Sequence, residues 1–252
     1  MEQSPPELFV IENHDQLYHI WSERDVRDLH VCHIDFHCDL RGLLIDRAKQ
    51  LAYKIPDIRR GVDIGNFLSH AILEGRVEAI NWIHSTPGGR GCDVNTVKYT
   101  EDLTSLPYNL AIRLNSLPPM PLEYAVNPMA SWPGPVAGDF LDIDWDVFAE
   151  REIELAELDA RVEEFFDKQL NVPVSGIAVC YSPGYSHETR PQFERFVNRL
   201  QGLYHATRID VPDAVGSAIR PFYRRIIPPA LYRPLQSLYF KLNLWLKRRG
   251  IY

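Results

Sequence analysis

The chain has 252 residues, 45% of them hydrophobic and 24% charged, a composition that can build a full core and suits one large domain with or without an appendage. No run of about 18 or more apolar residues occurs, so the sequence offers no membrane span. The net charge of −7 hides a split: residues 216–252 carry eight Lys/Arg and no Asp/Glu, leaving 19 Lys/Arg against 34 Asp/Glu elsewhere, a net −15 that argues against general nucleic-acid binding and suits cationic substrates.

The N-terminal Met-Glu-Gln-Ser-Pro-Pro-Glu is neither basic nor followed by an apolar signal region. Cys32, Cys38, Cys92 and Cys180 show no CxxC spacing and no disulfide-framework density, which points to a reducing cytoplasmic setting.

Leu8-Phe9-Val10-Ile11 is a strand candidate, followed by the capping-rich loop Glu12-Asn13-His14-Asp15. A helix should follow, burying Leu17, Ile20, Trp21 and Val26. The next stretch, His33-Ile34-Asp35-Phe36-His37-Cys38-Asp39, dominates the chain. Read as a strand, it places His33, Asp35, His37 and Asp39 on one face, because successive side chains alternate. Cys32 and Cys38 then face the other way as packing thiols. Residues 44–60 are mixed. Residues 62–75 read as a helix stopped by Gly75, and Val77 to Ile83 as a strand ending at His84. Leu110 to Leu114 is a weaker strand candidate.

The stretch 117–135 holds six prolines and reads as a loop over a site. Phe140 to Asp146 is a buried strand ending in acids, and Ala149 to Leu170 an acidic amphipathic helix with a solvated outer face. Val174 to Tyr181 is a strand closed by the turn Ser182-Pro183-Gly184-Tyr185, and residues 189–203 form a helix with Pro191 in its first turn. Strands and helices alternate, which predicts a three-layer α/β/α fold around a mainly parallel sheet. In such sheets sites gather at the carboxyl ends of the strands, where His14, Asp39, His84, Asp142, Asp144 and Ser182 all fall.

Two acidic clusters carry the chemistry: Asp35-x-His37-x-Asp39 and Asp142-x-Asp144-x-Asp146. Brought together, so many carboxylates would repel one another and take up protons unless divalent cations neutralised them. An oxygen-rich set with a minority of imidazoles favours a hard or borderline ion such as Mn²⁺ over a thiolate zinc site. Asp146 reads as a helix-capping acid rather than a ligand, and His33 as a supporting or core histidine.

These residues resemble a known superfamily. Asp35-Phe36-His37-Cys38-Asp39 is similar to the Asp-Ala-His-x-Asp motif of arginases and agmatinases. Leu141-Asp142-Ile143-Asp144 is similar to their second motif, Asp-x-Asp. His14 takes the place of the histidine in their Gly-Gly-Asp-His motif, without the two glycines. The wider set, with Glu-Asn-His-Asp, Asp-Ile-Gly-Asn and Ser-Pro-Gly-Tyr, resembles a short, divergent arginase-like branch that includes peptide arginases of ribosomal-peptide (RiPP) biosynthesis.

That resemblance implies an arginase-like metallohydrolase domain over residues 1–215 and two Mn²⁺ per chain. His14, Asp35, Asp39 and Asp142 would hold one ion, and Asp35, His37, Asp142 and Asp144 the other. A shared hydroxide would attack the guanidinium carbon, and Asp39 would pass a proton to the departing amine. The product would be ornithine plus urea, formed from an arginine in a precursor peptide. No histidine occurs in residues 40–69, where arginases for free arginine place a proton shuttle; His70 and His84 are candidates for that role. The motifs that grip a free α-carboxylate and α-amine have no counterpart here, which favours a peptide side chain. A glutamate should grip the guanidinium, and Glu188 is the best-placed candidate. Two further readings keep the site: a single-zinc amide hydrolase similar to the related deacetylases, and a non-catalytic metal-stabilised binding protein.

The tail, 216–252, repeats leucines at helical spacing (Leu231, Leu235, Leu238, Leu242, Leu246). It reads as a basic helical extension packed on the body, on a partner or in a homo-oligomer, with precursor-peptide docking and anionic-lipid adhesion as alternatives.

Overall fold

The computed structural model describes residues 4–47, 49–54, 61–85, 118–149, 153–183, 186 and 189–212. They belong to one unit that ends at Pro212. The strand expected at 110–114, Cys92, Gly184, Tyr185, Glu188 and the 216–252 extension lie outside the described residues.

Seven parallel strands form the central sheet. In chain order they are β1 (Glu7–Ile11), β2 (Leu29–Ile34), β5 (Val77–His84), β7 (Glu123–Pro128), β8 (Phe140–Asp144), β9 (Gly176–Cys180) and β10 (Thr207–Asp210). Across the sheet the order is β10-β1-β9-β8-β2-β5-β7, and every pairing is parallel. A smaller antiparallel sheet joins β3 (Leu43–Asp46), β4 (Leu51–Lys54) and β6 (Met120–Pro121). The central strands β2, β8 and β9 are almost wholly buried on both faces, as a sheet covered on both sides requires.

Helices α1 (Asp15–Glu23) and α2 (Phe67–Leu73) cover one face, where Leu17, Trp21, Phe67, Leu68 and Ala71 pack with Phe9, Val31, Trp82 and Phe140. Helices α3 (Leu155–Phe166) and α4 (Arg190–Tyr204) cover the other, where Leu158, Phe165, Phe193, Phe196 and Val197 pack with Ile34, Leu141, Ile143 and Val179. This is the expected three-layer α/β/α arrangement. Among the described residues no helix is long and apolar enough to cross a membrane.

The strand order fixes where a site can form. After β2 the chain moves outward to β5 and then β7; after β8 it moves the other way, to β9 and then past β1 to β10. Connections therefore leave β2 and β8 in opposite directions and open a crevice between their carboxyl ends, the position where parallel sheets bind ligands.

Several expected elements differ in extent. Residues 117–135 contain β6 and the edge strand β7 rather than loop alone. An edge strand tolerates proline because one side of it needs no ladder donors. The helix expected over residues 62–75 is shorter, with Gly75 just past its end at φ +68. The stretch that read as mixed holds β3 and β4, which pair antiparallel. The largest difference is at the dominant motif. Strand β2 ends at Ile34, so Asp35 to Asp39 do not lie on a strand.

Candidate metal centre

His33 and Asp142 are partners in the β2–β8 register, and Asp144 is the partner of Cys180 on β9. Parallel partners point to the same face, so His33, Asp142, Asp144 and Cys180 share the face covered by α1 and α2. The alternate residues Ile34, Leu141 and Ile143 enter the opposite core.

Beyond β2 the chain bends. Trp82 Nε1 donates to the Asp35 carbonyl at 3.0 Å, and Asp35 N donates to the Ile83 carbonyl at 3.0 Å, which anchors the bend to β5. Asp35 Oδ1 accepts from His37 N at 2.6 Å. Asp39 adopts a left-handed conformation, φ +49, and this turns its carboxylate back towards His14. The following turn is seated on the Asp63–Asn66 loop, with Arg41 N donating to the Gly65 carbonyl at 3.1 Å. A Cβ at Gly65 would come within 2.0 Å of the Arg41 guanidinium, which would have to swing aside. The four alternate residues of the motif thus converge through a bend and a left-handed residue, not through strand alternation.

His14 stands at the N-cap of α1, where its carbonyl accepts from Leu17 N while its side chain makes no capping bond. The ring turns into the crevice and is 1% exposed. Its Nδ1 lies 3.1 Å from Asp39 Oδ2, 3.2 Å from Asp35 Oδ2 and 3.3 Å from Asp144 Oδ2; its Nε2 lies 3.2 Å from Asp142 Oδ1. A second group sits beside it, with His37 Nδ1 3.1 Å from Asp146 Oδ2 and 3.8 Å from Asp35 Oδ1.

The donor set fits divalent cations. One ring nitrogen can serve one acceptor well, yet three carboxylate oxygens crowd His14 Nδ1. Ligands on a shared octahedral ion at about 2.1 Å would be about 3.0 Å apart, the spacing seen here. His14 Nε2 and Asp142 Oδ1 face each other at 3.2 Å, and Asp35 Oδ2 lies 3.2 Å from His14 Nδ1, yet none of these three buried atoms makes a well-aligned hydrogen bond. Each such group costs about 1–3 kcal/mol, against a total fold stability of about 5–15 kcal/mol. Cations in the crevice would satisfy all three. The sets His14/Asp35/Asp39, His14/Asp144/Cys180 and Asp35/His37/Asp146 each bring their ligand atoms within 4.8 Å of one another.

The titration behaviour reflects the same crowding. Burial opposes charge on His14, but Asp142 and Asp144 outweigh it and hold the imidazole well above its ordinary range. Burial likewise opposes charge on His37, yet the hydrogen bond to Asp146 lifts it to about 10. Asp142 is held well below the usual carboxylate range, because His14 and His33 overcome its burial. Asp144 and Asp146 are pushed up, first by burial and then by like charge, from Asp146 and Asp35 respectively.

Supporting contacts reach every part of the cluster. His33, fully buried, places Nδ1 2.8 Å from Asp142 Oδ2 and Nε2 3.1 Å from the His37 carbonyl. Ser182 donates its hydroxyl to Asp144 Oδ2 at 2.6 Å. Contrary to the expectation from its position, Asp146 does not cap a helix. Asp144 Oδ1 does so, accepting from Asp146 N at 3.1 Å, and this turn points the Asp146 carboxylate at His37. The sequence did not mark Ser182 as an Asp144 partner; its one signal was its place in the turn after β9. His84 ends β5, buried, with its ring 5.3 Å from that of Trp82. His70 lies on α2 with its ring 6.1 Å from Tyr18.

No protein-family model and no curated protein matches the sequence. Part of the chain is similar to two solved structures. One is proclavaminate amidino hydrolase from Streptomyces clavuligerus, at 17% identity over 78% of this chain and 63% of that chain, TM-score 0.42. Another, from Burkholderia thailandensis, is described as a hypothetical agmatinase, at 15% identity over 78% of this chain and 58% of that chain, TM-score 0.39. This chain therefore spans about three fifths of the length of each.

Proposed function

We propose that the protein is a Mn²⁺-dependent guanidinium hydrolase that converts arginine side chains, within a precursor peptide, to ornithine and urea. The observation that carries this reading is the crowding of Asp35, Asp39 and Asp144 within 3.3 Å of His14 Nδ1. It brings the two acidic motifs and the upstream histidine into one buried cluster at the β2–β8 crevice. The arginase-like motifs in the sequence supply the substrate class. A peptide is favoured over free arginine because no counterpart of the α-carboxylate and α-amine motifs is found.

Two ions per chain are proposed. The motif resemblance gives the first to His14, Asp35, Asp39 and Asp142 and the second to Asp35, His37, Asp142 and Asp144; in the structure Asp144, not Asp142, stands beside Asp35 and Asp39 at His14 Nδ1, and Asp142 faces the other ring nitrogen. Bound divalent ions sharing carboxylates would supply a hydroxide nucleophile near neutral pH and offset the buried negative charge. The acidic surroundings attract the cationic, planar guanidinium. Asp39, at the 8%-exposed edge of the cluster, holds and releases the proton that the departing δ-amine needs when the carbon–nitrogen bond breaks. His33 orients Asp142 and Ser182 orients Asp144, so that both carboxylates stay fixed as charge develops. His84 is retained as a proton-shuttle candidate and Glu188 as the guanidinium clamp.

The test is to load the protein with Mn²⁺ and incubate it with arginine-containing peptides and with free arginine, then assay urea and ornithine. Ornithine within the peptide is the expected product. Its absence with every arginyl substrate, at full metal loading, would overturn the reading. One Zn²⁺ per chain with amide hydrolysis would favour the deacetylase-like alternative.

A further inference from the structure

We propose that Asp146 is a direct ligand of the second divalent ion, together with His37 and Asp35, so that the third aspartate of the Asp142-x-Asp144-x-Asp146 run completes the centre. This rests on the reading above that the cluster holds two ions. It changes which carboxylate faces His37, the place that motif resemblance gives to Asp144.

Three observations carry it. Asp146 is 3% exposed, yet its Oδ2 faces an imidazole nitrogen 3.1 Å away and its Oδ1 receives only a long 3.4 Å contact from Phe36 N. The carboxylate and the imidazole thus face each other in a buried pocket, with one carboxylate oxygen turned to the ring and the other only weakly engaged, the donor types a divalent ion takes. Asp35, Asp146 and His37 bring three ligand atoms within 4.8 Å of one another, and the fully buried Asp35 turns Oδ1 toward His37 Nδ1, 3.8 Å away, and Oδ2 toward His14 Nδ1, 3.2 Å away, so it stands between the two groups. Asp144, meanwhile, is committed elsewhere. Its Oδ1 caps the 3₁₀ turn, its Oδ2 accepts from Ser182, and that same Oδ2 lies 3.3 Å from His14 Nδ1. Asp144 therefore leans to the His14 side of the centre, and Asp146 fills the His37 side.

The 3₁₀ turn at Trp145–Val147 produces this exchange. A strand continuing to residue 146 would keep Asp144 and Asp146 on one face, about 6.6 Å apart. The turn instead carries Asp146 over the end of β8 to the bend at Phe36 and His37. Trp145, buried with its Nε1 donating to Thr189 at 2.7 Å, locks the turn.

The metal-free full chain is titrated with Mn²⁺, and bound metal is counted by elemental analysis after gel filtration. The wild-type protein should hold two ions. Asp146→Asn should hold one, or bind the second at least about 100-fold more weakly, with unchanged far-ultraviolet circular dichroism. Two ions bound by Asp146→Asn at wild-type affinity would overturn the assignment, as would fewer than two in the wild type. Should that variant not fold, wild-type crystals grown with Mn²⁺ decide the matter. An anomalous peak about 2.0–2.6 Å from an Asp146 oxygen supports the assignment, and both peaks beyond about 3 Å overturn it. Two ions bound with no ornithine from any arginyl substrate would sink the proposed activity and leave this ligand standing.

Discussion

His33 Nδ1 lies 2.8 Å from Asp142 Oδ2, across the β2–β8 register that pairs the two residues. The same ring reaches the His37 carbonyl through Nε2, at 3.1 Å, and so ties the end of β8 to the bend after β2. Replacing His33 by Leu leaves Asp142 fully buried and short of its donor. Breaking a buried charged pair costs about 3–5 kcal/mol, which urea unfolding of the metal-free protein would register. Mn²⁺ affinity should fall about 10–100-fold, and His33→Asn, which keeps a donor, should recover part of it. Unchanged affinity in His33→Leu would show that the ring is packing alone.

How the sequence and the structure relate is clearest at this motif. The residue types and their spacing singled out the side chains that the structure brings together, because carboxylates and imidazoles in that density call for compensation whatever the backbone does. Alternation did not identify the geometry. A spacing of two satisfies a strand face, but here it is met by a bend at Asp35 and a left-handed Asp39. Nothing in the letters distinguishes these. The capping role expected of Asp146 falls to Asp144 for a related reason: acids just beyond a strand end look alike in sequence, and the 3₁₀ turn decides which of the two caps. The alternating α/β layers were legible from apolar runs. Strand β7 was not, since Pro121 and Pro128 near its ends give its stretch the composition of a loop.

The Trp82 indole donates to the Asp35 carbonyl and is fully buried. Trp82→Phe keeps most of the packing and removes that bond. The Asp35 turn should loosen at a cost of about 1 kcal/mol in stability. Because Asp35 is the proposed bridging carboxylate, the larger effect should be on metal retention, read as faster Mn²⁺ loss to a chelator. Equal loss rates in variant and wild type would mean that the Ile83 bond alone fixes the turn.

Ser182 combines a hydroxyl on Asp144 with a left-handed backbone, φ +47. Two substitutions separate these roles. Ser182→Ala loses the charged hydrogen bond, worth about 1.5–3 kcal/mol, and keeps the backbone strain. Ser182→Gly loses the same bond but relieves a strain of about 1–2 kcal/mol. The glycine variant should therefore unfold at higher denaturant than the alanine variant, while both lose Mn²⁺ affinity by about tenfold. Retained affinity in both would remove Ser182 from the support of the centre.

The metal-free protein should become less stable as pH rises, and metal should reverse this. His14, His37, Asp144 and Asp146 all have folded-state pKa values above their ordinary ones. The folded state then binds more protons than the unfolded state, so unfolding free energy falls with pH. For His37 the contribution is complete below its ordinary value of about 6.5 and disappears as pH rises through about 10. Asp142 has the opposite sign: its contribution is present above the usual carboxylate range and is lost only in strong acid. Chelator-treated protein should accordingly show declining urea midpoints from about pH 6 to pH 10. Cations bind only deprotonated ligands, so Mn²⁺ must displace these protons and its apparent affinity should climb over the same window. Calorimetric titrations in buffers of different ionisation heat would measure net proton release. Proton uptake on Mn²⁺ binding, or a flat stability profile after chelation, would contradict the assignment of these groups to a metal centre.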